Sequence, residues 1–316
     1  MRIELNSAPD HMAGRQTSLH IWALIALMMF GVVAGFPLLR IRIDLTSNPA
    51  LLAAIAAYTA VTIYYAKFRA EPSIVAALIS MGQLVLLLVL GVLLTYVAIA
   101  IGLPLRDAEL QAIDVWLGFD RQRYLAAYHA IPALSALFNA AYLSIQPQTV
   151  LVPLVLLLAG QQLRMRQFVL AFGLALLATT VIATLVPAVG AVVYVDLAPH
   201  GLSALSADIY TPARTIEALR SGTMSTVRLD DLEGLLAFPS FHTADGILFT
   251  WALWRIRWLR IVGLVINTMM IASTPVDGAH YLVDVLAGAM VASAAIAIAC
   301  RQRSAVRAFQ PEAAHA

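Results

Sequence analysis

The residues best suited to chemistry are two histidines and an aspartate in the C-terminal third of the chain. His242 ends the segment Pro-Ser-Phe-His, and His280 and Asp284 begin and end the segment His-Tyr-Leu-Val-Asp. On a helix, a carboxylate four residues after a histidine lies on the same face. There it fixes the imidazole tautomer and stabilises the cation that forms when the other ring nitrogen attacks. The spacing therefore predicts His280 as a nucleophile and Asp284 as its partner.

His242 has the complementary role in this interpretation, because imidazole titrates near neutral pH and is suited to protonate a leaving oxygen. Ser240 has the chemistry of a helix N-cap, which predicts His242 in the first turn of a helix. His280 is predicted in the first turn of another helix, after a turn at Asp277-Gly278. Helix amino termini carry free backbone amides and the positive end of the helix dipole, so two of them together favour a phosphate site.

Two further acids accompany the histidines. Asp245 follows His242 by three residues and is a candidate for tuning its imidazole, although an acid in the first helical turn is equally explained as a partner of the helix dipole. Asp277 is interpreted as a turn or cap residue. A single histidine in an apolar helix is usually a hydrogen-bonded packing residue. Two at helix starts, one with a carboxylate partner, favour a reactive site.

Apolar helices must position these residues. Hydrophobic residues fill 61% of the 316 positions and charged residues 12%, which excludes an ordinary soluble domain. A spanning helix needs roughly 20 apolar residues. Runs of that kind lie at 21–39, 50–66, 74–102, 168–195 and 281–300, and less regular stretches lie at 131–163, 241–254 and 259–272. We therefore expect an all-α polytopic membrane bundle with about eight transmembrane helices.

The basic residues predict the orientation of this bundle, because Lys and Arg in short connections face the cytoplasm. They lie in the connections at 67–69, 164–166 and 255–260, and again from Arg301 onward. Both termini are then cytoplasmic, and the longer loops 103–130 and 196–237 lie outside. We expect surface helices in the first loop and a lid over the histidines in the second.

No cofactor, metal ion or nucleic-acid partner is expected. The single cysteine, Cys300, ends the last apolar run, which excludes a disulfide framework and a cysteine metal site. Imidazole, helix amino termini and arginines together supply the charge stabilisation that a metal ion gives in other phosphoryl-transfer enzymes.

Two other classes of function remain open. A transporter or flippase for an anionic lipid would use the same polar cluster for binding, and would keep some transport after His280→Asn, whereas phosphoryl transfer would collapse. Axial ligation of haem by His242 and His280 is a third interpretation, which the absence of a Soret band would exclude.

At these residues the sequence resembles the type 2 phosphatidic acid phosphatase superfamily, the membrane relatives of vanadium haloperoxidases. Its signatures are KxxxxxxRP, PSGH and SRxxxxxHxxxD. Residues 239–242 match the second with Phe241 in place of glycine, and residues 273–284 match the third with Thr274 in place of arginine. Both replacements resemble the branch of inositol phosphorylceramide synthases, or inositolphosphotransferases. Residues 117–148 are also similar to bacterial members of that branch.

The resemblance implies the roles that the spacing predicts for His280, Asp284 and His242, and it adds Ser240 as a phosphate ligand. It implies a phosphohistidine formed from a membrane lipid phosphate. Water resolves this intermediate in a phosphatase, and a hydroxyl of a second lipid or a polyol resolves it in a phosphotransferase; the sequence does not decide between them. The implied six-helix core lies within residues 74–301, and we expect the protein in a bacterial inner membrane. Residues 1–73 add a tail and two spans, and residues 302–316 form a cytoplasmic tail.

The first signature has no counterpart here, because Lys67 is the only lysine and no Arg-Pro dipeptide occurs. The charge of a bound phosphate must then be met by arginines of the loop before residue 238. The candidates are Arg220, Arg228 and Arg214, with Arg220 preferred because the Ser-Gly pair that follows it lets the backbone approach closely.

Overall fold

The computed structural model describes residues 8–69, 71–197 and 211–308, which form helices and one pair of short strands. In chain order these are α1 (Ala8–Leu38), β1 (Arg42–Asp44), α2 (Pro49–Tyr64), α3 (Pro72–Ala100), α4 (Asp107–Trp116), α5 (Arg121–His129), α6 (Pro132–Leu143), α7 (Ile145–Leu158), α8 (Gln162–Leu185), α9 (Thr211–Arg220), β2 (Thr226–Arg228), α10 (Phe241–Leu253), α11 (Leu259–Asp277) and α12 (Leu282–Ala308). Short π-helical turns follow α2 at Tyr65–Arg69 and α8 at Val192–Leu197.

The expected all-α polytopic bundle is confirmed. Within the described ranges, α1, α2, α3, α8, α11 and α12 are long and apolar enough to cross a membrane, and the bent pair α6–α7 brings the number to seven. The eighth expected span, α10, has 13 residues and is shorter than a spanning helix. It is short because it begins only after Pro239 and ends at Leu253, before a basic connection.

The interrupted apolar stretch 131–163 forms the bent pair α6–α7, whose axes differ in direction by 55°. Pro147 lacks the N–H that would pair with the carbonyl of Leu143, so the helix does not continue straight through this point. The side-chain amide of Gln148 donates to the hydroxyl of Ser144 at 2.8 Å and closes the bend.

Helix α8 ends ten residues earlier than its apolar run, at Leu185 rather than Val195. Pro187 follows within two residues and disfavours helical backbone in the residue before it. Hydropathy does not register this stop, because the residues beyond it are also apolar. The chain after Pro187 instead turns toward the segment that carries His280, where the amide of Ala191 donates to the carbonyl of Ala279 at 2.7 Å.

The core of the bundle lies where α1, α3, α8, α10 and α12 pack together. Gly173 of α8 faces Leu24 and Leu87, and a methyl group there would come within 2.7 and 2.8 Å of them. Small residues at such contacts let apolar helices approach closely. Helix α1 is therefore part of the core, whereas α2 contains no buried residue.

The bundle has two ends that differ in character. At one end, β1 and β2 pair in parallel with Arg42 opposite Thr226, and α4, α5 and α9 lie beside the connection between α11 and α12. We call this the site end. At the opposite end, the guanidinium of Arg164 donates to the carbonyl of Trp251 and lies over its indole ring. Helix α10 joins the two ends.

Candidate active site

His280 and Asp284 form the pair that their spacing predicts. Nδ1 of His280 lies 3.2 Å from Oδ2 of Asp284, and the side chains are 4% and 0% exposed. The same carboxylate oxygen accepts the backbone N–H of Tyr281 at 2.9 Å. The prediction that His280 lies in the first turn of a helix is wrong, because α12 begins at Leu282, two residues later. The pairing through Nδ1 leaves Nε2 as the nitrogen available for reaction.

His242 lies next to this pair, in the first turn of α10 as its N-cap predicts. Its ring centroid is 6.5 Å from that of His280. The ring of Tyr142 stacks on His242 with a centroid distance of 4.1 Å and an interplanar angle of 10°. Both histidines and Tyr142 line one cavity. Tyr142 belongs to the stretch that resembles the bacterial branch, but the sequence did not indicate its contact with His242.

Ser240 caps α10 and does not line this cavity among the residues described. Its hydroxyl is fully buried and accepts the backbone N–H of Thr243 at 3.3 Å, with the Thr243 hydroxyl 3.1 Å away. Its own N–H donates to the carbonyl of Asp284 at 3.0 Å. A methyl group on Gly288 would come within 2.3 Å of the Ser240 carbonyl oxygen, so glycine is needed for α12 to approach α10 here.

Packing explains the two residues that depart from the signatures. The ring of Phe241 contacts that of Phe172 edge to face at 5.5 Å and anchors the start of α10 on α8. Thr274 is fully buried, and its carbonyl accepts the backbone N–H groups of Gly278 at 3.0 Å and His280 at 3.2 Å. Thr274 therefore holds the turn that carries His280.

The amino terminus of α12 differs from the expected phosphate site. The backbone N–H groups of Leu282 and Val283 donate to the carboxylate of Asp114 on α4, at 2.8 and 2.9 Å. The N–H of Tyr281 is bonded to Asp284, as described above. An acid from a distant helix thus occupies the position that a phosphate was expected to take, because capping amides bind a protein carboxylate as readily as a phosphate.

A second acid of α4 joins the segment after α8 to the residue that follows His280. Asp107 accepts the N–H groups of Val189 and Gly190 at 3.0 to 3.2 Å and the hydroxyl of Tyr281 at 3.0 Å. Ala279 takes a left-handed φ of 56°, and its carbonyl is bonded to Ala191. Burial raises the pKa of Asp107 and likewise the pKa of Asp114. Sequence reasoning missed this clamp, although the two acids stand seven residues apart on one face of α4.

The cavity has a volume of about 240 Å³. Its walls come from Tyr142 on α6, residues 189–193 after α8, the start of α9, residues 234–237, and residues 276–280. Residues at the start of α9 and at 234–237, which belong to the expected lid, therefore line the cavity that contains the histidines. Asp277 also faces this cavity, which the interpretation as a turn residue did not foresee. Its carboxylate accepts the hydroxyl of Tyr128 at 2.6 Å and the side-chain amide of Asn139 at 3.1 Å.

The structure does not bring the candidate arginines to the histidines. Arg220 donates to the carbonyl of Leu103 at 2.9 Å and lines an adjoining cavity of about 440 Å³. Arg228 on β2 is bonded to Asp230 at 2.6 Å and lies 3.2 Å from Asp231. Arg214 is exposed on α9.

Asp245 is fully enclosed within the bundle, at 1% exposure. One of its oxygens, Oδ1, has no hydrogen-bond partner among the described residues. No bond joins it to His242 in that part of the chain, so its tuning role stays a prediction. The described residues also contain no group of three or more His, Cys, Asp or Glu side chains arranged to hold a metal ion.

Comparison with known proteins identifies a family for this chain. A family model described as the PAP2 superfamily matches residues 108–298. No curated protein and no solved structure matches the chain. The matched region runs from α4 to α12, contains His242, His280 and Asp284, and covers more than half of the sequence. The chain therefore belongs to the PAP2 superfamily.

Proposed function

We propose that this protein is an integral membrane enzyme that transfers the phosphoryl group of a lipid phosphate ester through a phosphohistidine at His280. The observation that carries the proposal is the buried His280–Asp284 pair, in which His280 lines the same cavity as His242. Membership of the PAP2 superfamily supports a lipid phosphate enzyme of the phosphatase type. The identity of the group that accepts the phosphoryl group from His280 is part of this proposal.

The proposed reaction has two steps, formation of the phosphohistidine and its breakdown. Nε2 of His280 attacks phosphorus while the bond from phosphorus to the leaving oxygen breaks, and protonated His242 gives its proton to that oxygen. Asp284 stabilises the positive charge that develops on His280. In the second step, neutral His242 takes a proton from water or an alcohol, whose oxygen attacks phosphorus and releases His280.

The acceptor decides between a phosphatase and a phosphotransferase. We propose the phosphotransferase, because Phe241 and Thr274 replace signature residues in the way that the inositolphosphotransferase branch does. A hydroxyl of a second lipid or a polyol would then take the place of water. Ser240 stays a candidate phosphate ligand. Arg220 is a better candidate than Arg228 for contact with the substrate, since Asp230 and Asp231 already neutralise Arg228.

The experiment uses purified protein with phosphatidate or phosphatidylinositol labelled with ³²P. Wild type is expected to acquire an acid-labile label that His280→Ala lacks, with turnover reduced to background. His20→Ala is the matched control, because this histidine is exposed on α1, away from the cavity. Parallel reactions with and without a candidate acceptor alcohol separate hydrolysis from transfer. A variant lacking His280 that still turns over the lipid would contradict the mechanism, and lipid transport without turnover would favour a transporter.

A further inference from the structure

The carboxylate of Asp277 is unusual for a site that handles phosphate. It lies in the last turn of α11 and faces the same cavity as His242 and His280. An acid at the carboxyl end of a helix is opposed by the helix dipole, so the local energetics of α11 do not favour it. Tyr128 donates to Oδ2 and Asn139 to Oδ1, which fixes the orientation of the carboxylate at the edge of the cavity.

The charges of the residues around this cavity indicate which phosphate esters it can accept. The described residues that line it include two histidines and this aspartate, but neither lysine nor arginine. A phosphate monoester carries close to two negative charges near neutral pH, and a nearby carboxylate repels it. A phosphodiester carries one negative charge and meets less repulsion. Hydrogen-bond donors on its headgroup would also find an acceptor in Asp277.

We infer that Asp277 selects the substrate, by accepting hydrogen bonds from the headgroup of a singly charged phosphodiester lipid and by repelling phosphate monoesters. This inference rests on the proposed function. The headgroup must donate a hydrogen bond to a carboxylate. An ammonium group and the hydroxyls of a polyol can both do so. Phosphorus then lies toward His280, with the headgroup on the side of Asp277.

Space in the cavity agrees with this arrangement. A methyl group on Gly278 would come within 2.7 Å of the His280 ring and 3.1 Å of the Tyr142 ring. The absence of a side chain there keeps open the space between the two rings, next to Asp277. A headgroup attached to phosphorus has this space to occupy.

Asp277 also has a structural explanation, because its bonds to Tyr128 and Asn139 join α11 to α5 and α6. A purely structural role predicts that its replacement lowers the turnover of every substrate alike. A role in selection predicts a change in the ratio between substrates. The ratio is therefore the quantity to measure.

The test compares four lipids presented to the purified protein in mixed micelles: phosphatidylethanolamine, phosphatidylinositol, phosphatidylcholine and phosphatidate. We expect wild type to turn over the ethanolamine or the inositol lipid at least about tenfold faster than phosphatidate, measured as kcat/KM. Phosphatidylcholine is the matched ligand, because it carries a positive charge but has no N–H donor. The ethanolamine and inositol arms distinguish an ammonium from a polyol.

Asp277→Asn removes the charge and keeps the size of the side chain. We expect it to raise KM for the preferred lipid about tenfold, the effect of losing a charge-assisted hydrogen bond, and to raise turnover of phosphatidate. Asp277→Glu, which keeps the charge, is expected to restore part of the preference. Asp231→Asn is the matched control, since it removes an exposed acid at the site end outside the cavity.

Two results would overturn the inference: a preference of wild type for phosphatidate, or a substrate ratio that Asp277→Asn leaves unchanged. The wild-type preference stands independently if the variant fails to fold. Failure of the proposed function has a different signature, because no lipid would then be turned over in a manner that depends on His280.

Discussion

At the scale of single residues, the site depends on how two imidazoles are held. Asp284 binds His280 through Nδ1 and also accepts the N–H of Tyr281, so its position is fixed from two directions. Such fixation leaves the attacking nitrogen in one tautomer and one orientation. His242 has no comparable carboxylate among the described residues. Its ring is held instead by stacking on Tyr142.

This difference predicts that Tyr142 positions His242 through its ring rather than its hydroxyl. Tyr142→Phe keeps the stacked ring, and we expect kcat within about threefold of wild type. Tyr142→Ala removes a ring contact of about 0.5–1.5 kcal/mol, and we expect kcat to fall about tenfold with a smaller change in KM. Steady-state kinetics on the preferred lipid measures both. An equal loss in the two variants would indicate that the hydroxyl matters instead.

The residues of the site differ in how far their positions follow from local sequence. The contact of His280 with Asp284 was predicted from their spacing, although His280 lies just before α12 and not in its first turn. The place of Asp277 was not, since its partners Tyr128 and Asn139 come from helices more than a hundred residues earlier. Local spacing carries no information about which distant helix packs on a turn.

At the scale of elements, α4 is the helix whose acidic side chains hold the backbone near His280. Hydropathy and charge predicted a surface helix in the loop 103–130, and α4 and α5 are found there. The sequence did not show that the acids of α4 face inward. Asp107 accepts the hydroxyl of Tyr281, and Asp114 accepts the N–H groups of the next two residues, so α4 holds the segment directly after the nucleophile.

The inward acids predict an unusual response to pH. Burial raises the pKa of Asp107 and of Asp114, so the folded chain binds more protons than the unfolded chain between the ordinary and the raised pKa values. In that interval the free energy of unfolding falls as pH rises, so these two groups favour the folded state more at acidic pH. Tm should therefore rise when the pH is lowered from neutral into the range in which carboxyl groups ordinarily titrate. We expect the double variant Asp107→Asn/Asp114→Asn to show a smaller rise.

Thermal unfolding of the detergent-solubilised protein across this range measures the effect. Glu109→Gln is the control on the same helix, because a hydrogen bond from Arg106 lowers the pKa of Glu109. Removing that group should not reduce the gain on acidification. A double variant with the same pH dependence as wild type would show that the clamp acids titrate normally in the folded chain.

At the scale of the whole molecule, the basic residues of three connections between helices lie at the end of the bundle opposite the site. Connections bearing Lys67, Arg164 and Arg255 lie at the end opposite the histidines, as the alternation of helices requires. Short-loop Lys and Arg favour the cytoplasm. We therefore propose that both termini are cytoplasmic and that the site opens on the outer face of a bacterial inner membrane.

Two exposed alanines provide a matched test of this orientation. Ala130 follows α5 at the site end, and Ala159 follows α7 at the opposite end. In a Cys300→Ser background, a membrane-impermeant maleimide is expected to label Ala130→Cys in intact spheroplasts. Ala159→Cys should react only after permeabilisation. The reverse pattern would place the site in the cytoplasm, where it would meet lipids of the inner leaflet, and would refute the proposed orientation while leaving the chemistry of His280 intact.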